Sequence, residues 1–247
     1  MIQEKKYLNP VLNSFIEKVG ATLAGVKPAE LMNISMRGER KDQWEEGKKI
    51  LEEYNCFKVI EVQEKKHKRQ VFFLHLEALN NTLSQKSVQL LLKDLNYPRE
   101  YSLKNYVHFL VKKIKGSSFP HEIGVFLGYP VKDVLGFIGC PTLKLTEIKG
   151  WRYYGHRGLS VRTYERFKEA REKAKRILEK KEVPGEILKF WEEHSKPSSY
   201  GCCFEQCGKK LEMLDGKNDN IYQGNSFSLE NYYNILSFDG EGKPYGK

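Results

Sequence analysis

Two adjacent acid–base side chains, His121 and Glu122, stand in the run Phe119-Pro120-His121-Glu122-Ile123-Gly124-Val125-Phe126-Leu127-Gly128-Tyr129-Pro130. An imidazole changes charge near neutral pH, and a carboxylate can fix its tautomer or bind a cation. The pair is therefore a candidate for general acid–base work or for orienting a ligand. The run is one residue short of a zinc hydrolase signature, which needs a second histidine four positions after the first so that both rings share a helical face. Val125 occupies that position, which argues against a zincin. Side chains of neighbouring helical residues diverge by about 100°, and His121 and Glu122 can reach one ligand only at a helix start or turn, which Pro120 supplies. The competing reading is structural: Pro120, His121 and Glu122 form a first helical turn, with Glu122 favoured by the helix dipole and Ile123, Phe126 and Leu127 buried.

A second candidate lies near the N-terminus, in Ala21-Thr22-Leu23-Ala24-Gly25-Val26-Lys27-Pro28. Small residues here allow close backbone approach, Thr22 offers a hydroxyl, and Lys27 can hold an anion. We expect this segment and the His121 turn to line one pocket, with Tyr129 and Trp151 as walls, for a small anionic ligand. Neither stretch is a phosphate loop, no serine sits in a nucleophile elbow, and no cysteine has an activating context. A soft-metal site could be assembled from His194, Cys202, Cys203 and Cys207, but their spacing lacks the usual paired Cys-x₂-Cys.

The elements that must position these residues follow from periodicity. Asn9, Pro10 and the stripe Leu12, Phe15, Ile16, Val19 predict a helix stopped by Gly20, and Pro28 predicts a further helical turn over Ala29 to Leu31. A helix over 42–54 precedes two Val/Ile/Phe-rich strands, 57–63 and 70–76, joined by the basic tip Glu64 to Arg69. Helices are predicted over 83–95 and 102–114, then a short one after Pro130. A second hairpin pairs 142–148 with 151–154, and a long helix over 160–181 ends at Pro184-Gly185. Strands and helices do not alternate regularly. The expected fold is α+β over residues 1–191, with helices packed on a small antiparallel sheet built from two hairpins. Residues 192–247 form a Ser/Gly/Asn-rich extension with an aromatic island at Phe227, Tyr232, Tyr233 and Phe238, expected to be flexible in part or docked as a strap.

The 247 residues suffice for a sizeable core, and a charged fraction of 30% is that of a globular protein. No apolar run approaches the roughly 20 residues that span a bilayer, and the N-terminus lacks the apolar region of a signal peptide. Five cysteines make an odd count, which favours reduced thiols and a cytoplasmic location. The net charge of +10 favours phosphates or acidic partners. Lys65, Lys66, Lys68 and Arg69 with Arg162, Arg166, Arg171, Lys175 and Arg176 could face a nucleic acid. Glu165, Glu169, Glu172 and Glu179 interleave with the helical set, and a solvated, ion-paired face is preferred.

Three blocks carry a resemblance: Ala21 to Ala29; Phe119 to Pro130 with Asp133-Val134 and Gly136-Phe137-Ile138; and Gly150-Trp151-Arg152-Tyr153-Tyr154-Gly155. In this order they resemble the bacterial family known as domain of unknown function 3793, found mainly in anaerobic Gram-positive bacteria. The resemblance covers roughly residues 8–190 and implies no activity and no cofactor. The family often has a cysteine just before the Ala-Thr-Leu-Ala-Gly run, where this chain has Gly20. Three functions therefore stand side by side: a binding protein for a small anion or a protein partner, a small-molecule enzyme using His121 as general acid or base, and a nucleic-acid-associated protein.

Overall fold

The structure, a computed structural model, describes residues 10–179. Helix α1 (Pro10–Leu23) leads to strand β1 (Ala29–Ser35), helix α2 (Glu39–Glu52) and the hairpin β2 (Phe57–Lys65) and β3 (Lys68–His75). Helices α3 (Leu76–Leu83), α4 (Lys86–Asp94), α5 (Leu103–Lys115), α6 (Ile123–Phe126) and α7 (Val131–Ile138) follow. A second hairpin, β4 (Leu145–Lys149) and β5 (Trp151–Tyr154), then precedes α8 (Gly158–Glu179). The chain is α+β, and both hairpins are present.

The hairpins belong to separate sheets. The first gains a third strand in the antiparallel order β1-β3-β2, whereas β4 and β5 pair alone. The helical turn expected at Ala29 to Leu31 is instead the start of β1, which pairs Ala29 with Leu74 and Leu31 with Phe72. Ala, Glu, Leu and Met favour helix in isolation, and here pairing with β3 and burial override that propensity. Two further corrections concern helices. The segment 83–95 is not one helix, because α3 ends at Leu83 and α4 starts at Lys86; and Leu76 opens α3 rather than closing β3.

Period-2 alternation gives the main sheet two apolar faces. Leu31, Ile60, Val62, Phe72 and Leu74 face a core closed by α3 to α7. Met32, Ile34, Phe57, Val59, Val71 and Phe73 face another closed by α1, α2 and the α8 residue Ala174. Phe72 and Phe73 are neighbours in sequence, both fully buried, one in each layer. Each such ring stabilises the fold by about 1.5–3 kcal/mol relative to exposure.

Helix α1 runs through Gly20 and stops at Gly25. The N–H of Val26 donates to the Ala21 carbonyl at 3.0 Å and that of Gly25 to the Thr22 carbonyl at 3.0 Å, the two bonds of a Schellman end. Gly25 has φ +65°, and a Cβ there would lie 3.0 Å from His75 Nε2. Gly20 has a different role: a Cβ would come 2.4 Å from the Ala174 Cβ, so α1 and α8 cross here at closest approach. Any larger side chain at position 20 would require the two helices to separate.

Candidate functional site

The three sequence blocks converge on one joint. Lys27 emerges from the Schellman turn, which aims its buried side chain at Glu30, with Nζ 2.5 Å from Oε2. The ammonium also lies 5.7 Å from the centroids of both Tyr129 and Phe167. Burial lowers the Lys27 pKa from its ordinary value, against the opposing pull of Glu30. Tyr129 stacks on Trp151, whose Nε1 donates to Asp133 Oδ2 at 2.8 Å. Burial pushes the Tyr129 phenol up to about 12.

Asp133 is buried at the start of α7 and accepts two more bonds at Oδ1, from the Tyr154 N–H at 2.8 Å and from Lys132 Nζ at 2.6 Å. Lys132 in turn donates to the Tyr154 carbonyl and to the buried Ser160 hydroxyl, each at 2.7 Å. Helix α7, strand β5 and the start of α8 are thereby tied to one carboxylate. Lys27, Lys132 and Asp133 are each partnered, which is the arrangement of a buried structural network. Thr22 is fully buried beside it and its hydroxyl has no partner among the described residues.

His121 and Glu122 part company. The turn that Pro120 begins is made of i→i+3 bonds, from Ile123 N to the Pro120 carbonyl and from Gly124 N to the His121 carbonyl, each 3.3 Å. It sends the two side chains in different directions. Glu122 is buried, accepts from the Tyr97 hydroxyl at 3.2 Å and pairs with Lys113 on α5. Burial and this carboxylate raise the Tyr97 pKa. His121 is exposed, with its ring edge-on to Phe137 at 5.0 Å. Of the proposed pocket residues, Lys27, Tyr129 and Trp151 thus meet as packing partners, and His121 stands apart from them. His194, Cys202, Cys203 and Cys207 lie outside the described residues, and among the described residues no three metal-ligating side chains cluster.

The basic hairpin tip is partly committed as well. Arg69 pairs with Glu45, Glu61 and Glu64 at 2.7–3.0 Å. In the helical set, Lys175 reaches Glu17 of α1.

A concave site that the motifs did not announce lies between α5 and the edge of the main sheet. The groove is shallow and open at its mouth, with about 80 Å³ of accessible space, less than the roughly 300–1,000 Å³ of a typical enclosed small-molecule site, so a ligand would lie along it and not be enclosed. Its walls are Ile60, Leu74 and Leu76 on the sheet side and Leu103, Val107 and Val111 on α5. All six are aliphatic. Leu103, Val107 and Val111 fall at i, i+4 and i+8 and share one helical stripe, beside which Lys104 and His108 form the next. Lys58 faces the same way as Ile60 on β2 and pairs across to Leu74. Lys58, Lys104 and His108 thus stand around an aliphatic cleft, and no carboxylate pairs with any of them among the described residues. The sequence shows each element as amphipathic but not that α5 lies over β2, which is why periodicity alone passed the site by.

No helix among the described residues is long and apolar enough to cross a membrane. No curated protein and no solved structure matches the chain. One family model matches residues 15–188, a span that contains all three blocks, the joint and the groove. The chain belongs to the family described as protein of unknown function (DUF3793).

Proposed function

We propose that this protein binds a small amphipathic anion, an alkyl carboxylate, in the groove between α5 and the β2–β3 face. The observation that carries the reading is the conjunction of six aliphatic side chains with two lysines, Lys58 and Lys104, and His108, none of which has a carboxylate partner among the described residues. The six aliphatic walls offer no hydrogen-bonding groups to a polyhydroxylated ligand, so they favour an extended hydrocarbon. The rim supplies charge-assisted bonds to a head group. The anion expected from the sequence is retained in this reading. Its site shifts from Lys27, whose ammonium is taken by Glu30, to Lys58, Lys104 and His108.

Calorimetric titration with dodecanoate tests it. Each methylene buried contributes about 0.8 kcal/mol, so octanoate is expected to bind more than tenfold more weakly. Dodecanol lacks the charge, and the paired variant Lys58→Glu/Lys104→Glu lacks the cations; both changes are expected to weaken binding about tenfold or more. Equal binding of dodecanol and dodecanoate, or none of either, would sink the reading.

A further inference from the structure

Among the described residues the large exposed hydrophobic side chains are not scattered. Phe119 at 48%, Phe137 at 43%, Leu145 at 48%, Ile148 at 68% and Leu159 at 46% relative exposure all fall between residues 119 and 159. Three of them, Phe137, Leu145 and Ile148, are connected by the fold. Phe137 follows Gly136, where a Cβ would lie 2.2 Å from Tyr154 Cγ, so α7 is pressed directly onto β5. That contact sets Phe137 beneath Arg152, whose Cζ is 5.4 Å from the ring centroid, and the edge of His121 completes the other side. Ile148 pairs with Arg152 across the hairpin and Leu145 with Tyr154, so both lie on the face that α7 covers in part. The result is an apolar surface with Arg152 at its centre, and among the described residues no carboxylate reaches that guanidinium. Contiguous exposed apolar patches mark contact surfaces.

We infer that this face is the docking site of the chain's own segment 227–241. Three observations select it. The segment carries Phe227, Leu229, Tyr232, Tyr233, Ile235 and Phe238 together with Glu230, Asp239 and Glu241, and no lysine or arginine, in a chain whose net charge is +10. It is therefore complementary to the patch in both apolarity and sign. The geometry of return is easy. Helix α8 begins next to β5 and its 22 residues carry the chain away, a distance of roughly 33 Å at 1.5 Å per residue. About 50 residues separate Glu179 from Phe227, enough to span well over 100 Å if extended. The inference concerns a surface other than the groove and stands independently of it.

The test is site-directed photo-cross-linking in the full chain, with Phe137→p-benzoylphenylalanine and, separately, Ile148→p-benzoylphenylalanine. Both positions are exposed, so the fold tolerates the larger ring. Irradiation of the monomer is expected to yield intrachain cross-links that mass spectrometry places within 227–241. Adding Arg152→Glu is expected to lower their yield about fivefold. Cross-links that join two chains, that fall elsewhere in the chain, or that persist undiminished with Arg152→Glu would overturn the inference, as would their absence.

Discussion

Tyr129 lies flat on Trp151, ring centroids 4.4 Å apart and planes 15° from parallel, and this stack joins the second and third sequence blocks. Lys27 from the first block lies over the Tyr129 ring and pairs with Glu30. Removing one partner of a buried ion pair leaves the other uncompensated. Lys27→Met is expected to cost about 2–3 kcal/mol in urea unfolding, below the full penalty because Glu30 is partly exposed. Lys27→Met/Glu30→Gln should recover part of that loss. An unchanged unfolding midpoint in the single variant would mean that Lys27 is not structural.

The carboxylate of Asp133 makes a sharper case, since three donors converge on it and Trp151 reports from beside it. Asp133→Asn keeps the shape but removes the charge that Lys132 needs. We expect a loss of about 3 kcal/mol, the scale of a broken buried pair, and a shift of tryptophan emission as the Trp151 Nε1 bond weakens. Thermal unfolding followed by fluorescence reads both.

His75 carries a pH dependence. It closes β3 and caps α3, its Nδ1 accepting from the Ala78 N–H at 3.2 Å, while buried Nε2 faces Gly25 with no partner among the described residues. Burial lowers its pKa from 6.5 to about 4. The native state therefore stays neutral where the unfolded chain takes up a proton. The stability that this provides is complete above pH 6.5 and is lost as the pH falls toward 4. Between pH 7 and pH 5 the wild type should lose about 2 kcal/mol more than His75→Asn, which keeps a capping side chain but has no titration in this range. Parallel denaturation curves at the two pH values measure the difference; equal losses would contradict the assignment.

What the sequence made legible, and what it hid, follows from the range of the interactions. Helix α1 with its Pro10 start, the β2–β3 hairpin, α5, α7 and the β4–β5 hairpin all carry local signals, in capping, period and turn chemistry. Strand β1 does not, because Ala29 to Met32 read as helix formers until β3 arrives some 40 residues later to pair with them. Helix α3 (Leu76–Leu83) has no counterpart in the sequence reading, which ends a strand at Leu76 and starts a helix at Leu83. In the joint, the choice of Lys27, Tyr129 and Trp151 brought together residues that do touch. Grouping His121 with Glu122 failed on the divergence of adjacent side chains, which sends one to Phe137 and the other to Tyr97. The groove was hidden for the same reason as β1, since its two walls are far apart in the chain.

The most direct measurement is dodecanoate titration of Val107→Trp beside the wild type, with circular dichroism confirming that both are folded. Val107 stands in the α5 wall between Leu103 and Val111, and an indole there fills the groove while Lys58 and Lys104 are left unsubstituted. The account predicts saturable binding to the wild type and a loss of about tenfold or more in the folded variant. Undiminished binding to folded Val107→Trp, or no binding to the wild type, would contradict it.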